Sequence, residues 1–390
     1  MTGGGRRFWR WGVLLLLVGV SIALTVPLLR PRSEPAKSIA VGAALGGGDP
    51  AGYRRADRPR VFHFPDDHGP HPEFRNEWWY LTGNLVDAAG RPFGYQWTLF
   101  RIALSPEPPV ADSAWRTHQV YLGHFAVTDV ASKKHDAVER FSRGAVGLAG
   151  AQAQPFRVWL EDWQLSSMES DAFPMRLRVR DDDMALDLIL EAGKPVVLQG
   201  DRGLSQKSAE PGNASYYYSH TRLPTQGEVE LKGQVFKVTG SSWLDREWST
   251  SALGAEQSGW DWFALQLDDG RELMFYRLRG KDGRADPFSK GVLVDAAGQT
   301  QLLRWEALDL QPLGEWISPH TGDRYPAGWR LRLPGEHLEL TVMPKVADQE
   351  MRLTVHYWEG AVTVVGHAGD RKVNGQGYLE MTRYESSMSR

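Results

Sequence analysis

A series of short motifs occurs twice along this chain, in the same order, and this repeat constrains the fold more than any other feature. The matched pairs are WWYL at 78–81 with WDWF at 260–263, FPMRLR at 173–178 with YP at 325–326 and WRLRL at 329–333, ALDL at 185–188 with HLEL at 337–340, and GSSWLD at 240–245 with GQGYLE at 375–380. Chance would need four ordered coincidences. We therefore infer a duplication, with a first domain at 61–250 and a second at 256–388.

Within the copies, apolar and polar residues alternate over short runs that end at Gly, Asp or Pro, which is typical of β-strands. The predicted strands of the first copy are 80–86, 93–101, 120–127, 156–160, 175–179, 185–190, 228–231 and 235–239. Each copy is long enough for about eight antiparallel strands, which close into a barrel that can hold one small ligand. The predicted fold is all-β, with two consecutive antiparallel barrels.

Tryptophans stand beside carboxylates in two of the motifs. On a strand, Glu77 shares one face with Trp79, and Trp243 shares one with Asp245 and Glu247. A carboxyl group in an apolar pocket can keep its proton at neutral pH because burial raises its pKa, and an aromatic face can stabilise a developing cation. The pattern predicts an enclosed site for an apolar molecule, with Asp245 and Glu247 as candidate acids.

The same carboxylates also fit a structural role. Arg246 or Arg222 could hold Asp245 in an ion pair at a strand end, and Glu380 takes the place of Asp245 in the second copy. A group common to both copies suggests a shared structural function, whereas Glu247 has no acidic counterpart. From these residues alone, both interpretations stay open.

The run YYYSHTR at 216–222 offers a second set of candidates. On a regular strand Tyr218, His220 and Arg222 face one way, and His220 could act as a general base or orient an acid. A lone histidine is more commonly a hydrogen-bonded structural residue. The matching run HYWEG at 356–360 is aromatic and acidic but does not preserve His220 at the corresponding place. Such a difference between the copies is expected of a site present in one barrel only.

A loop before the first strand is rich in possible metal ligands: His63, Asp66, Asp67, His68, His71 and Glu73. Their spacing matches no recognised ligand pattern, and the surrounding Pro and Gly residues predict an irregular lead-in to the strand, with metal binding as the less favoured alternative. We expect no metal and no cofactor. The chain has no cysteine and no G-x-S-x-G, so thiolate chemistry is excluded and a serine hydrolase is unsupported.

The N-terminus predicts export. Arg6, Arg7 and Arg10 precede an apolar run at 11–29, which is typical of a signal peptide or membrane anchor, here assigned to 1–30. Residues 31–60 are rich in Pro, Gly and Ala and predict a flexible tether. A net charge of −3 without a basic stripe argues against nucleic acid as a partner. We expect a location in the cell envelope, periplasmic or secreted, or anchored by 11–29.

Taken together, the segments 67–83, 240–248, 357–360 and 377–380 resemble the AttH-like family, which includes carotenoid 1,2-hydratases (hydroxyneurosporene synthases) and predicted secreted hydrolases. The resemblance spans 61–388 and implies two lipocalin-like (calycin) barrels, with an ABC-transporter permease as a candidate partner. In the hydratase branch an Asp donates a proton beside a His and aromatic residues, roles that the motifs give to Asp245, His220 and Trp243. Arg222 stands where an aromatic residue is expected, and a cation there would oppose a carbocation.

Two functional hypotheses follow. The first is an exported envelope protein that binds a lipid or another hydrophobic, isoprenoid-like ligand as an accessory of an ABC transporter. The alternative is a hydro-lyase or hydrolase of the carotenoid 1,2-hydratase type that uses acid catalysis on an apolar substrate, with Asp245, His220 and Glu247 as catalytic residues. The predicted ligand-binding residues are Trp243, Tyr218, Arg222, Glu77, Trp79 and Trp262.

Overall fold

A computed structural model of the protein describes residues 39–40, 49–108, 110, 112–251, 253–382 and 384. Their regular structure is β-strand, from β1 (Ile39–Ala40) onwards, apart from three short 3-10 helices at Asp66–His68, Trp305–Ala307 and Pro334–Glu336. None of the helices in this described part is long and apolar enough to cross a membrane. The predicted signal or anchor at 1–30 lies outside the described residues.

The first sheet has thirteen strands and curls into a barrel. Its strands are β2 (Asn76–Asp87), β3 (Pro92–Ala103), β4 (Gln119–Asp129), β5 (Lys134–Arg143), β6 (Ala149–Gln152), β7 (Arg157–Leu160), β8 (Trp163–Ser167), β9 (Met175–Asp181), β10 (Met184–Leu190), β11 (Val197–Leu198), β12 (Leu204–Gln206), β13 (Ala214–Leu231) and β14 (Gln234–Ser249). The spatial order is β5-β4-β3-β2-β14-β13-β10-β9-β8-β7-β6, and β11 and β12 pair with β13. Each strand predicted for the first copy falls on an observed one.

The second sheet has eleven strands and forms the second barrel. Besides β1 it contains β15 (Gln257–Leu267), β16 (Glu272–Gly280), β17 (Lys290–Val294), β18 (Thr300–Arg304), β19 (Asp309–Pro312), β22 (Trp329–Leu333), β23 (Leu338–Pro344), β24 (Glu350–Arg352), β25 (Val355–Ala368) and β26 (Arg371–Thr382). The order is β18-β17-β16-β15-β26-β25-β23-β22-β19, with β1 and β24 on β25. A separate ribbon joins β20 (Glu315–Ile317) to β21 (Arg324–Pro326).

The two strand orders match each other. Running from β3 to β9, the order β3-β2-β14-β13-β10-β9 corresponds to β16-β15-β26-β25-β23-β22. The pairs of sequence motifs lie on these corresponding strands, except for YP at 325–326, which lies on β21 in the separate ribbon. The interior of each barrel is filled by apolar side chains, among them Trp79, Trp97 and Trp163 in the first and Phe263 and Trp329 in the second. The predicted fold of two consecutive antiparallel barrels is confirmed.

The barrels pack against each other through the outer faces of these strands. Asn84 Nδ2 donates to the carbonyl oxygen of Gly377 (3.0 Å), and Lys345 Nζ donates to Asn84 Oδ1 (2.7 Å). A Cβ atom at Gly94 would lie 2.6 Å from the Cβ of Ala361, so the close approach requires glycine there. As a result, parts of β2, β13 and β14 are buried on both faces, one towards the barrel interior and one towards the other barrel.

The end of the predicted tether packs against the first barrel. Ala56 is buried beside Phe74 and Ala214. Arg55 Nη2 donates to Glu210 Oε1 (2.9 Å), and Tyr53 OH donates to the carbonyl oxygen of Ala103 (3.3 Å). The prediction of a flexible tether through residue 60 therefore extended too far, because alternation alone does not reveal a segment that packs without forming a strand.

Candidate active site between the two barrels

A cavity lies between the barrels, at the outer faces of β2, β13 and β14 on one side and of β15, β25 and β26 on the other. The cavity volume is about 120 Å³. A mostly apolar wall with a few converging polar groups is the usual composition of a small-molecule site. The aromatic lining residues are Trp78, Tyr80, Phe100, Tyr217, Trp260, Trp262, Tyr276 and Tyr357, and the ionisable ones are Lys207, Asp245, Glu247, Glu359 and Glu380.

Asp245 is buried in the first-barrel wall and accepts three hydrogen bonds. Trp243 Nε1 (2.7 Å) and Ser219 Oγ (2.5 Å) donate to Oδ1, and Tyr217 OH (2.5 Å) donates to Oδ2. Burial raises the pKa of Asp245 to about 7; the three donors oppose this shift, and the nearby Glu247 adds to it. Asp245 can therefore exchange a proton near neutral pH.

The donors also decide which oxygen holds that proton. An indole N–H can only donate, so Oδ1 of Asp245 must remain an acceptor for Trp243. Oδ2 is left to carry the proton. The Tyr217 hydroxyl can still donate to Oδ2, and it accepts from Trp262 Nε1 at 3.1 Å.

Glu247 faces the same cavity but is paired with a cation. Lys207 Nζ lies 3.2 Å from Glu247 Oε1, and the Ser215 hydroxyl donates to the same oxygen. Burial lowers the pKa of Lys207, but the charges of Glu247, Tyr276 and Asp245 and the hydrogen bond to Glu247 together outweigh burial, so the pKa is raised overall. Lys207 Nζ also lies 4.4 Å from the centre of the Tyr276 ring. This pairing favours a charge-balancing role for Glu247 over the predicted role as an acid.

The second-barrel wall contributes two further carboxyl groups. Trp260 Nε1 donates to Glu380 Oε1 (2.8 Å). Burial raises the pKa of both Glu380 and Glu359, and the charge of Glu380 raises that of Glu359 further. The nearby hydroxyls of Tyr80 and Tyr357 partly offset this rise in the pKa of Glu359. Neither hydroxyl has the geometry of a hydrogen bond to Glu359.

The strand register makes the two walls directly comparable. Side by side lie Tyr80, Asp245 and Ser219 in the first wall, and Trp262, Glu380 and Glu359 in the second. The same position of each barrel therefore carries a carboxyl group that faces the cavity. The second wall adds another carboxyl where the first has a serine.

Comparison with known proteins identifies the family. A sequence model of the AttH-like family matches residues 55–384. The chain belongs to the AttH-like family. The predicted resemblance is confirmed by this match over most of the chain.

Solved structures agree with the fold of this AttH-like chain. A Nitrosomonas europaea protein provisionally named AttH is 34% identical, with a TM-score of 0.75 over 84% of this chain and 99% of that one. Kievitone hydratase from Nectria haematococca is 16% identical, with a TM-score of 0.64 over 90% and 97%. CghA with Sch210972 is 13% identical, with a TM-score of 0.54 over 88% and 97%. The last two share the fold alone, and curated proteins gave no match.

Two of the predicted ligand-binding residues of the AttH-like chain come together at the cavity. Trp262 lines it, and Trp243 packs against Trp262 with ring centres 6.4 Å apart and planes at 86°. Both indoles also hold the Asp245 assembly, since Trp243 donates to Asp245 and Trp262 to Tyr217. The structure thus places these two tryptophans around the predicted acid.

Glu77 and Trp79 lie on the opposite face of β2, which corrects their predicted place in the ligand site. The guanidinium groups of Arg101 and Arg246 both donate to the buried Glu77 carboxylate. Burial favours a raised pKa, but the two cations outweigh it and hold the pKa of Glu77 far below its usual value. Arg246 also lies 3.9 Å over the Trp79 ring. These residues form an ion-paired core inside the first barrel.

His220 and Tyr218 also face away from the cavity, because they alternate with the cavity-facing residues of β13. The His220 ring packs 4.8 Å from Phe173, and Tyr218 OH hydrogen-bonds to His68 Nδ1 (2.6 Å). Burial lowers the pKa of His220 to about 3, which leaves the ring neutral. The structure does not bring His220 to Asp245, and the predicted pairing of these two residues is corrected.

Arg222 leaves the alternation at a β-bulge. One extra residue lies on β13 between His220 and Leu223, so the side chain of Arg222 does not follow that of His220. Its Nε donates to Glu272 Oε1 (2.5 Å), while Lys194 Nζ donates to Glu272 Oε2 (2.8 Å). Arg222 is therefore neutralised outside the cavity, and its charge does not oppose a carbocation there.

The histidine-rich loop before β2 forms a hydrogen-bonded lead-in. Asp67 accepts from Arg60 Nη2 and from His71 Nε2, both at 2.9 Å, and from the backbone N–H of His63 (2.6 Å). Trp79 Nε1 donates to the carbonyl oxygen of His68 (2.9 Å). These contacts fit the favoured structural interpretation of the loop.

Among the described residues, one group elsewhere brings possible metal ligands together. Asp323, Glu350 and His356 offer donor atoms within 4.8 Å of one another. Glu350 already accepts from Ser318 Oγ (2.6 Å) and Thr321 Oγ1 (2.9 Å), and its Oε1 lies 2.9 Å from His356 Nε2. Hydrogen bonds within the protein therefore account for the buried Glu350 carboxylate in this cluster.

Proposed function

We propose that this AttH-like protein is a hydro-lyase that adds water to, or removes it from, a carbon–carbon double bond of an apolar substrate. The observation that carries the proposal is Asp245, a carboxyl group whose pKa is raised to about 7 at the wall of an aromatic cavity. Kievitone hydratase has the same fold and a name that records hydration, which supports the proposal by analogy.

In the forward direction, the proton on Asp245 Oδ2 passes to one carbon of the double bond. The two π electrons form the new C–H bond and leave a cation on the adjacent carbon. The oxygen of a water molecule supplies the pair for the C–O bond, and one water proton leaves to a base. Atoms and charge balance, because a proton then returns to Asp245 and the net reaction adds one water.

The aromatic wall suits the cationic stage of this reaction. Tyr80 and Trp262 pack edge to face with ring centres 5.1 Å apart, on either side of the junction between the barrels. Aromatic faces attract a cation by about 0.5–2 kcal/mol each when it is desolvated. Among the described residues that line the cavity, Lys207 is the one lysine; it pairs with Glu247 and does not act as a free positive charge.

The test uses the ligand that the protein retains in its own host. Native mass spectrometry and extraction are applied to the wild type, Asp245→Asn and the surface control Asp182→Asn, and the extracted ligand is incubated in ¹⁸O-labelled water. We expect the wild type and the control to exchange ¹⁸O into an alcohol product, and Asp245→Asn to bind the alkene but to lose on the order of 10²–10⁴-fold in rate. Unchanged turnover in Asp245→Asn would overturn the proposal.

A binding function without turnover is the second candidate, supported by the mostly apolar cavity wall. It predicts that the retained ligand is unchanged by the wild type and that Trp262→Ala, but not Asp245→Asn, releases it. Export to the envelope and an ABC-transporter permease as a partner stay predictions from the sequence. Both predictions are compatible with either of the two candidate functions.

A further inference from the structure

The two carboxyl groups of the second wall form a directly opposed pair. Glu359 on β25 and Glu380 on β26 are cross-strand neighbours in the antiparallel register. Directly opposite residues place their Cβ atoms about 4.5–5.5 Å apart on the same face of the sheet. Both line the cavity, and Glu359 is fully buried. Two acidic side chains are therefore held next to each other at the reacting volume.

This pair has no counter-ion in the described part of the chain. Neither Glu359 nor Glu380 forms an ion pair with a described lysine, arginine or histidine, in contrast to Glu247 with Lys207. Like charges opposite each other in a sheet are destabilising, and two close carboxylates in a dry site cannot both ionise. The pair therefore has its lowest free energy when one proton is bound to it.

The surroundings of Glu359 point into the cavity. Both carboxyl oxygens of Glu359 and the hydroxyl of Tyr80 are buried without a hydrogen bond among the described residues. A fully buried carboxyl group that lacks partners costs about 1–3 kcal/mol or more. A group that donates a hydrogen bond to Glu359 from within the cavity, such as water or a substrate hydroxyl, would remove that cost.

We infer that Glu359 and Glu380 share one proton and act as the second acid–base group of the cavity, opposite Asp245. This inference rests on the proposed function. In hydration, Asp245 gives its proton to carbon, and the ionised member of the pair takes the proton that the attacking water releases. In dehydration the pair protonates the leaving hydroxyl, and Asp245 takes the proton from carbon.

Tyr80 lies where a proton could return from the Glu359–Glu380 pair to Asp245 after each turnover. Tyr80 on β2 is the cross-strand neighbour of Asp245 on β14, and its hydroxyl is close enough to Glu359 to lower the pKa of that carboxyl group. Because this hydroxyl forms no hydrogen bond in the described structure, cavity water would have to link it to the pair and to Asp245 for a proton to pass between them. Each turnover then returns both walls to their starting protonation states.

The pair can be tested without a substrate, by infrared titration of the protonated carboxyl band in the full chain. The wild type should retain one buried protonated carboxyl from neutral into alkaline pH. Glu359→Gln should lose the alkaline titration. Glu380→Gln should lower the pKa of the remaining Glu359, because the neighbouring charge is gone. Glu73→Gln, in the partly exposed loop, should match the wild type. Complete ionisation of the wild type below neutral pH, or an unchanged titration in both cavity variants, would overturn the inference.

Turnover separates this inference from the proposed function. If the pair is the base, the double variant Glu359→Gln/Glu380→Gln should slow ¹⁸O incorporation on the order of 10²–10⁴-fold while Asp245 still titrates near neutral pH. If Asp245→Asn stays active, the proposed function fails whatever the pair does. If Asp245→Asn is inactive but the double variant Glu359→Gln/Glu380→Gln turns over normally, the proposed function survives and the second acid–base group does not.

Discussion

The two faces of the strands in the first barrel each bury a carboxyl group, but the pKa values of these two groups are shifted in opposite directions. On the inner face, Glu77 lies between Arg101 and Arg246, and its pKa is held far below the usual value. On the outer face, Asp245 is held only by neutral donors, and burial raises its pKa to about 7. The depth of burial is similar, so the supply of cations decides which carboxyl group is structural and which can donate a proton.

The largest effect should come from breaking the inner ion pair. Glu77→Gln leaves two buried guanidinium groups without their counter-charge, and we expect a loss of about 3–5 kcal/mol in the free energy of unfolding. Urea denaturation at neutral pH measures this loss. Glu73→Gln is the matched control, because Glu73 pairs with the exposed Arg54 (3.3 Å) and should cost less than about 1 kcal/mol. A similar cost for the two variants would contradict the assignment of Glu77 to the core.

The outer face should give the opposite pH dependence. The folded-state pKa of Asp245 lies above the unfolded value, so its contribution to stability is present at low pH and is lost as pH rises through about 7. The full loss corresponds to roughly 4 kcal/mol. Asp245→Asn cannot ionise and should therefore gain stability relative to the wild type between pH 4 and pH 8, measured by urea denaturation across that range.

Glu77 should show the reverse trend in the same experiment. Its folded-state pKa is lowered, so its contribution is present above the ordinary glutamate value and is lost as the medium becomes more acidic. A parallel pH dependence of the two carboxyl groups would show that burial, and not the cations, controls both. That outcome would also remove the physical basis for Asp245 as the acid.

Sequence reasoning reached the strands, the duplication and the Trp243–Asp245 pair, because alternation and repetition are local signals. It did not identify which face of β2 meets the cavity. Both faces are buried, so Glu77 and Trp79 were as plausible as the neighbouring Trp78 and Tyr80, which line the cavity. Only the packing of a second barrel separates the two faces, and no local pattern encodes that contact.

The remaining differences have equally specific causes. The prediction that Arg222 faces the same way as His220 was wrong, because a bulge of one residue reverses the direction of the side chains that follow it. Lys207 lies just after the short strand β12 and reaches the cavity from outside any repeated motif. Glu380 did carry a signal, its correspondence with Asp245, but this was interpreted as structural. A repeated carboxyl group indicates a shared position, and its role depends on whether a cation accompanies it.

A smaller effect is expected at the bulge. Arg222→Gln removes one of the two cations on Glu272 while Lys194 remains in place, so we expect a loss of about 1 kcal/mol in the free energy of unfolding and no change in the pH profile of turnover. Lys194→Gln is the matched control, since it removes the other cation of the same carboxylate. If the pH profile of turnover shifted in Arg222→Gln but not in Lys194→Gln, Arg222 would have to act at the candidate active site after all.

The smallest effect should be at His220, the residue that sequence reasoning paired with Asp245. Its ring is neutral at physiological pH because burial lowers its pKa to about 3, and its Nε2 is buried without a hydrogen bond in the described structure. His220→Phe keeps the packing against Phe173 and removes an unsatisfied polar atom, so turnover should change by less than about 1 kcal/mol in transition-state free energy. Tyr217 lies on the opposite, cavity-facing side of β13, and Tyr217→Phe deletes the hydroxyl that donates to Asp245 Oδ2. The pKa of Asp245, through which hydration is lost as pH rises, should therefore move upwards. A loss of turnover in His220→Phe with an unchanged profile in Tyr217→Phe would mean that the chemistry occurs inside the first barrel, and that the cavity between the barrels is not the active site.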